Sequence, residues 1–143
     1  MQQSVLIVNL EHEESASLCR LLQEADYAAQ TLNSPAELKS WLSEKSCVAV
    51  IIDIDSVAVN NRTLRDLVSA HPAIPFLCIS KERFHPDLRD TIRNHIYACL
   101  TKPIDPDELG YWLKCIRKDE RELKAGLAFN DNLGSRRRRN GKG

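Results

Sequence analysis

No glycine-rich loop follows any apolar run in this 143-residue sequence, which holds only five glycines. A flavin or other cofactor whose phosphates rest on backbone amides is disfavoured, because such a cradle needs glycine for close approach. No apolar run is long enough to cross a bilayer, and the N-terminus lacks the basic-then-apolar pattern of a signal peptide. A cytoplasmic protein without a membrane partner is the expectation. The five cysteines (Cys19, Cys47, Cys78, Cys99 and Cys115) form no C-x-x-C pair and have no histidine at metal-ligand spacing. Most lie in apolar stretches, where a reduced thiol behaves as a small hydrophobe. The four histidines are scattered, and His71 and His85 each precede a proline, so solvated or capping roles are expected.

The composition that remains, 43% hydrophobic and 28% charged, is that of a globular chain long enough for one domain with a real core. Its zero net charge hides an asymmetry. Arg136, Arg137, Arg138, Arg139 and Lys142 stand in a C-terminal segment without an acid. Of the 20 basic residues 15 are left to face all 20 acids over residues 1–135, a net of −5. An acidic domain therefore carries a basic tail. That tail could bind nucleic acid only non-specifically and with strong salt dependence, since it offers no aromatic for stacking.

Short apolar runs alternate with helical periodicity. Strands are predicted at Val5–Asn9, Tyr27–Thr31, Cys47–Asp53, Pro75–Ser80 and Ile96–Leu100. "CVAVIID" and "FLCIS" are nearly continuous in apolar residues, as parallel strands buried on both faces should be, and the more polar "YAAQT" suits an edge. Between them, Ala16, Leu18, Leu21, Leu22 and Ala25 recur at helical spacing. "SPAE" at Ser34–Glu37 is a capping box with proline at the first helical position. "NNRTLRDLVSAH" places Leu64, Leu67 and Val68 on one face, and "PDLRDTIRNH" is a shorter, more polar helix. "DPDE" at Asp105–Glu108 opens a fifth helix bearing Leu109, Trp112, Leu113 and Ile116. This βαβαβαβαβα order predicts an α/β, flavodoxin-like, doubly wound sheet of five parallel strands, order 2-1-3-4-5, with five helices. The expected divisions are a domain over 1–120, a helix-five extension or linker over 121–134, and a disordered basic tail over 135–143.

In this topology the ends of strands one, three, four and five converge. They bring Asp53, Ser80 and Lys102 together, with Thr101 and Pro103 beside them. A carboxylate, a hydroxyl and an ammonium in one crevice suit phosphoryl transfer. The carboxylate attacks phosphorus, and the other two hold the equatorial oxygens. The alternative is a structural ion-pair and hydrogen-bond cluster.

Over about residues 4–118 the chain resembles the response-regulator receiver domain of two-component signalling. The resemblance rests on "VLIVNLE", on "VAVIIDID" ending at Asp53, on "HPAIPFLCIS" ending at Ser80, and on "CLTKPIDPDEL". It implies that Asp53 is the phosphoacceptor, that Ser80 and Lys102 assist it, and that Lys102–Pro103 is a cis bond, which only X-Pro adopts cheaply. The metal site it implies falls on Asn9, Leu10, Glu11, Asp53 and the backbone of Asp55, and is degenerate. An amide and an alkyl group replace the acidic pair, and leucine cannot ligate a hard cation. Glu11 or Glu13 could rescue the site, though moving Glu11 inward would flip the strand's alternation. No cofactor is expected, and weak magnesium at most. Lys81 follows the switch hydroxyl where a small residue is common. Asn61 takes a glycine's place, in which a left-handed backbone is expected. Cys99 takes the place of the activation-reporting aromatic, with Tyr97 as a partial substitute.

The reading is thus a non-enzymatic, atypical receiver acting as a protein-interaction module, with impaired or absent magnesium-dependent phosphorylation. A conventional switch accepting phosphate on Asp53 is the alternative. Partners implied by the resemblance are a sensor kinase or other signalling protein, with output to a phosphorelay or transcription regulation. Helix four, strand five and helix five are the expected docking or homodimer surface. Leu123 and Leu127 extend helix five's apolar stripe. No effector pattern follows helix five, so either a stand-alone receiver or a fragment of a longer regulator is expected. With no cation present, Lys81 or Lys102 is expected within ion-pair reach of Asp53.

Overall fold

A computed structural model of the protein describes residues 3–82 and 89–126. The elements run β1 (Gln3–Val8), α1 (His12–Glu24), β2 (Tyr27–Leu32), α2 (Pro35–Leu42), β3 (Ala49–Asp53), α3 (Asn61–Ala70), β4 (Phe76–Ser80), α4 (Arg89–His95), β5 (Ala98–Thr101) and α5 (Pro106–Gly126). All strand pairings are parallel, and the sheet order is β2-β1-β3-β4-β5. The described residues fall into two compact units that divide after Gly110.

The first unit contains the sheet. Every residue of β3 and β4 is buried, which explains their unbroken apolar sequence: a parallel strand between two neighbours has no wet face. Leu6, Val8, Val50, Ile52, Phe76 and Cys78 form one core face with Leu38 and Leu42 of α2 and Leu64, Leu67 and Val68 of α3. Local chemistry sets the helix starts. Ser34 Oγ accepts from the Glu37 amide at 3.1 Å, and Pro35 fills the first helical position. Asn60 Oδ1 accepts from the Thr63 amide at 2.8 Å, and Asp105 Oδ1 from the Asp107 amide at 2.9 Å.

Several expectations need correction. Asn61 is not left-handed. It is the first residue of α3, and its Oδ1 accepts from both the amide and the hydroxyl of the buried Thr91, tying α3 to α4. Among the described residues only Asp26, in the turn after α1, has a positive φ, 74°. The strand drawn to Asn9 stops at Val8, and β5 begins at Ala98 rather than Ile96. Cys78 is buried, whereas Cys99 is exposed and does not act as a core hydrophobe.

The second unit begins at Tyr111, and α5 runs as one unbroken helix to Gly126. Tyr111 and Trp112 meet edge to face with ring centroids 5.1 Å apart. Leu113 and Ile116 are buried, as is Leu109 of the first unit, so these three are not free to serve in the docking surface expected of helix five; among the described residues of α5, Tyr111 is the large exposed apolar side chain. Pro86–Leu88 of the predicted fourth helix, Leu127, and the basic tail from Ser135 lie outside the described residues. No helix among the described residues is long and apolar enough to cross a membrane.

Candidate functional site

The strand order reverses between β1 and β3, and the crevice at such a switch point lies beyond the C-terminal strand ends. Asp53 ends β3 and Ser80 ends β4. Lys102 follows β5 through a backbone bond from its amide to the Ser80 carbonyl at 2.8 Å. The Lys102–Pro103 peptide bond is cis. The topology therefore brings the three predicted residues to one place.

Lys102 is the hub. Its Nζ lies 2.9 Å from Asp53 Oδ1, 3.1 Å from Glu14 Oε1 and 3.3 Å from Asp55 Oδ2. Burial disfavours the ammonium, but the hydrogen bonds and charges of Asp53 and Glu14 outweigh it and hold Lys102 above the usual lysine range. Asp53 is wholly buried. Its Oδ1 accepts the Asp55 amide at 3.0 Å besides Lys102, and its Oδ2 has no hydrogen-bond partner among the described residues. Of the two lysines expected near Asp53, Lys102 makes the ion pair, while Lys81 contributes its backbone amide to Asp55.

Asp55 enters the site by its side chain, where only its backbone was expected. Ser80 Oγ donates to Asp55 Oδ1 at 3.0 Å, and the Lys81 amide donates to Asp55 Oδ2 at 2.7 Å. Ser80 Oγ also accepts the Glu82 amide at 3.0 Å. Burial pushes the Asp55 carboxyl up, but the bonds from Lys81, Ser80 and Lys102 prevail and hold it below the ordinary aspartate value.

On the β1 side, Asn9 is buried and hydrogen-bonded through both its amide nitrogen and its amide oxygen. Its Nδ2 donates to Glu14 Oε1 at 2.8 Å, and its Oδ1 accepts the Glu11 amide at 2.7 Å and the Ser56 hydroxyl at 3.2 Å. This explains the amide just after β1: an aspartate here would set one carboxylate against that of Glu14. Leu10 is 48% exposed, and its backbone amide donates to Ser56 Oγ at 3.0 Å. Glu11 lies exposed at the N-cap of α1 and does not move inward. Glu13 is likewise exposed.

Glu14 and the side chain of Asp55 escaped the sequence reading. The first turn of α1, "HEES", supplies the signal for Glu14: a helix opening right after β1 aims its first-turn acids back at the strand ends.

Magnesium is octahedral, keeps several waters and is held to a protein through one or two free carboxylates. The Leu10 side chain has no oxygen to offer, the side-chain oxygens of Asn9 and Asp55 already accept hydrogen bonds, and Asp53 Oδ1 is held by Lys102, leaving Asp53 Oδ2 without a partner among the described residues. This donor set does not fit magnesium. Among the described residues no group of three or more acidic, histidine or cysteine side chains could hold a metal.

No family model and no curated protein matches the chain. Solved structures do. A CheY-like response regulator receiver domain protein from Methanospirillum hungatei JF-1 matches with a TM-score of 0.74 and 15% identity, over 85% of this chain and 99% of its own. The signal receiver domain of an HD domain-containing protein from Pseudomonas fluorescens Pf-5 matches with a TM-score of 0.75 and 18% identity, over 85% and 99%. NtrX from Brucella abortus matches with a TM-score of 0.74 and 18% identity, over 90% of this chain but 30% of its own. The fold is that of the response-regulator receiver domain.

Proposed function

We propose that this receiver-fold chain is an atypical receiver: a signalling module that works by protein interaction, without catalytic turnover and with impaired or absent magnesium-dependent phosphorylation of Asp53. One observation carries the reading. The buried Asp53 carboxylate is neutralised by the ammonium of Lys102, 2.9 Å away, in a site whose donor set does not suit a divalent cation. A receiver's phosphoacceptor must present an oxygen to an incoming phosphorus while a cation screens the approach of two anions. Here Leu10 withholds the ligand, and the net charge of three carboxylates around one ammonium repels a phosphoryl donor.

Partners are proposed to be signalling proteins, a sensor kinase or a downstream regulator, or a second copy, docking on α4 and the edge strand β5. As an edge strand, β5 pairs on one side only, with β4, and carries exposed Cys99 and Thr101. Sedimentation at tens of micromolar tests the second-copy case: a clean monomer restricts the surface to heterologous partners.

Incubating the chain with acetyl phosphate and magnesium, then weighing it intact, tests the central reading. No gain of a phosphoryl group is expected. A stoichiometric gain that disappears in Asp53→Asn would establish the conventional switch instead.

A further inference from the structure

A hydroxyl, a backbone amide and an ammonium from three consecutive stations of the site all converge on one carboxylate. Ser80 Oγ lies 3.0 Å from Asp55 Oδ1, the Lys81 amide 2.7 Å from Oδ2, and Lys102 Nζ 3.3 Å from that same Oδ2. Fixed donors of these kinds are what a protein aims at an oxyanion. The tight turn after β3 places Asp55 there: its amide bonds Asp53 Oδ1 at 3.0 Å, while its side chain reaches the β4 and β5 ends.

We propose that Ser80, the Lys81 amide and Lys102 form an oxyanion-binding site whose resident ligand is the chain's own Asp55 carboxylate, so that a phosphate-like anion enters only when that carboxylate is removed. The inference rests on the reading of this chain as a receiver that is not phosphorylated. The resident carboxylate is charged at neutral pH, since the same three donors hold it below the ordinary aspartate value. Being tethered, it competes at an effective concentration of millimolar or more, which free phosphate must exceed. The switch hydroxyl is thereby held in a single anion-bound arrangement independent of any phosphoryl donor.

The test is a titration of the full chain, labelled with nitrogen-15, with inorganic phosphate at neutral pH and without divalent cations. The Lys81 amide resonance is expected to stay still in the native chain up to tens of millimolar phosphate. In Asp55→Ala it should titrate with an affinity at least about tenfold tighter. Equal responses in the two chains, or no response in the folded variant, would overturn the proposal. Should the variant fail to fold, the native chain still decides. A through-hydrogen-bond scalar coupling between the Lys81 amide nitrogen and the Asp55 side-chain carboxyl carbon is expected, and its absence overturns the proposal. Failure here and failure of the functional reading are distinguishable: a phosphorylated native chain refutes the latter, whereas a missing coupling refutes only the internal ligand.

Discussion

Replacing Lys102 by methionine removes one charge and keeps an unbranched apolar stem, so packing is disturbed little. The cost follows from what is left behind. Asp53, wholly buried, keeps one neutral donor, the Asp55 amide at 3.0 Å, and its Oδ2 gains nothing. Stranding a buried charge in this way costs about 3–5 kcal/mol. Glu14 and Asp55, with side chains 26% and 21% exposed, can rehydrate, so each adds about 0–1 kcal/mol. A total near 4 kcal/mol is a large part of the roughly 5–15 kcal/mol of a typical domain. It should lower Tm by roughly 8–16 °C at this chain length. Urea unfolding at neutral pH of the native chain, Lys102→Met, Asp53→Asn and the double variant closes the cycle. The double variant should recover at least about 2 kcal/mol of the single-variant loss, because no charge is then stranded. A cost for Lys102→Met under about 1 kcal/mol, with no recovery in the double variant, would refute the claim that this ammonium neutralises Asp53.

Other outcomes follow from the same geometry. Asp55 titrates below its ordinary value of 3.8, so its stabilisation is complete above that pH and is lost as pH falls through the lower folded value; Asp55→Asn should lack this part of the acid limb in urea midpoints measured against pH. Leu10→Asp, at a 48% exposed position, should change stability by no more than about 0.5 kcal/mol yet bind magnesium calorimetrically, where weak binding at most is expected of the native chain; equal binding by both would show that Leu10 is not what weakens the site. Among the cysteines, exposed Cys99, whose thiol pKa is lowered by a hydrogen bond from Cys78, should be alkylated well before Cys47, whose thiol burial pushes up to about 11; mass mapping at pH 8 after short iodoacetamide exposure reads the order.

The sheet was legible because burial on two faces leaves a mark in every residue: "AVIID" and "FLCIS" can hardly be anything but central parallel strands. The ends were less so. Asn9 looked like a strand residue by its neighbours, yet its side chain bonds make it the first residue of a turn. Asp53, Ser80 and Lys102 could be paired from strand order alone, since each sits at a strand's C-terminal end. Asp55 could not. Its side chain reaches the site through a turn conformation that alternation says nothing about, and Glu14 arrives from a helix whose acids otherwise read as a solvated face. Asn61 was misjudged for a similar reason: its residue type allows a left-handed backbone, and the buried Thr91 beside it, far off in sequence, decides otherwise.

Magnesium with beryllofluoride, a phosphoryl mimic, titrated into the nitrogen-15-labelled native chain, tests most directly the claim that Lys102 and Asp55 replace cation and phosphoryl group at Asp53. The amide resonances of Asp53, Ser80, Lys81 and Lys102 are expected to stay where they are at saturating mimic. A new, stoichiometric set of resonances at those four residues would contradict it.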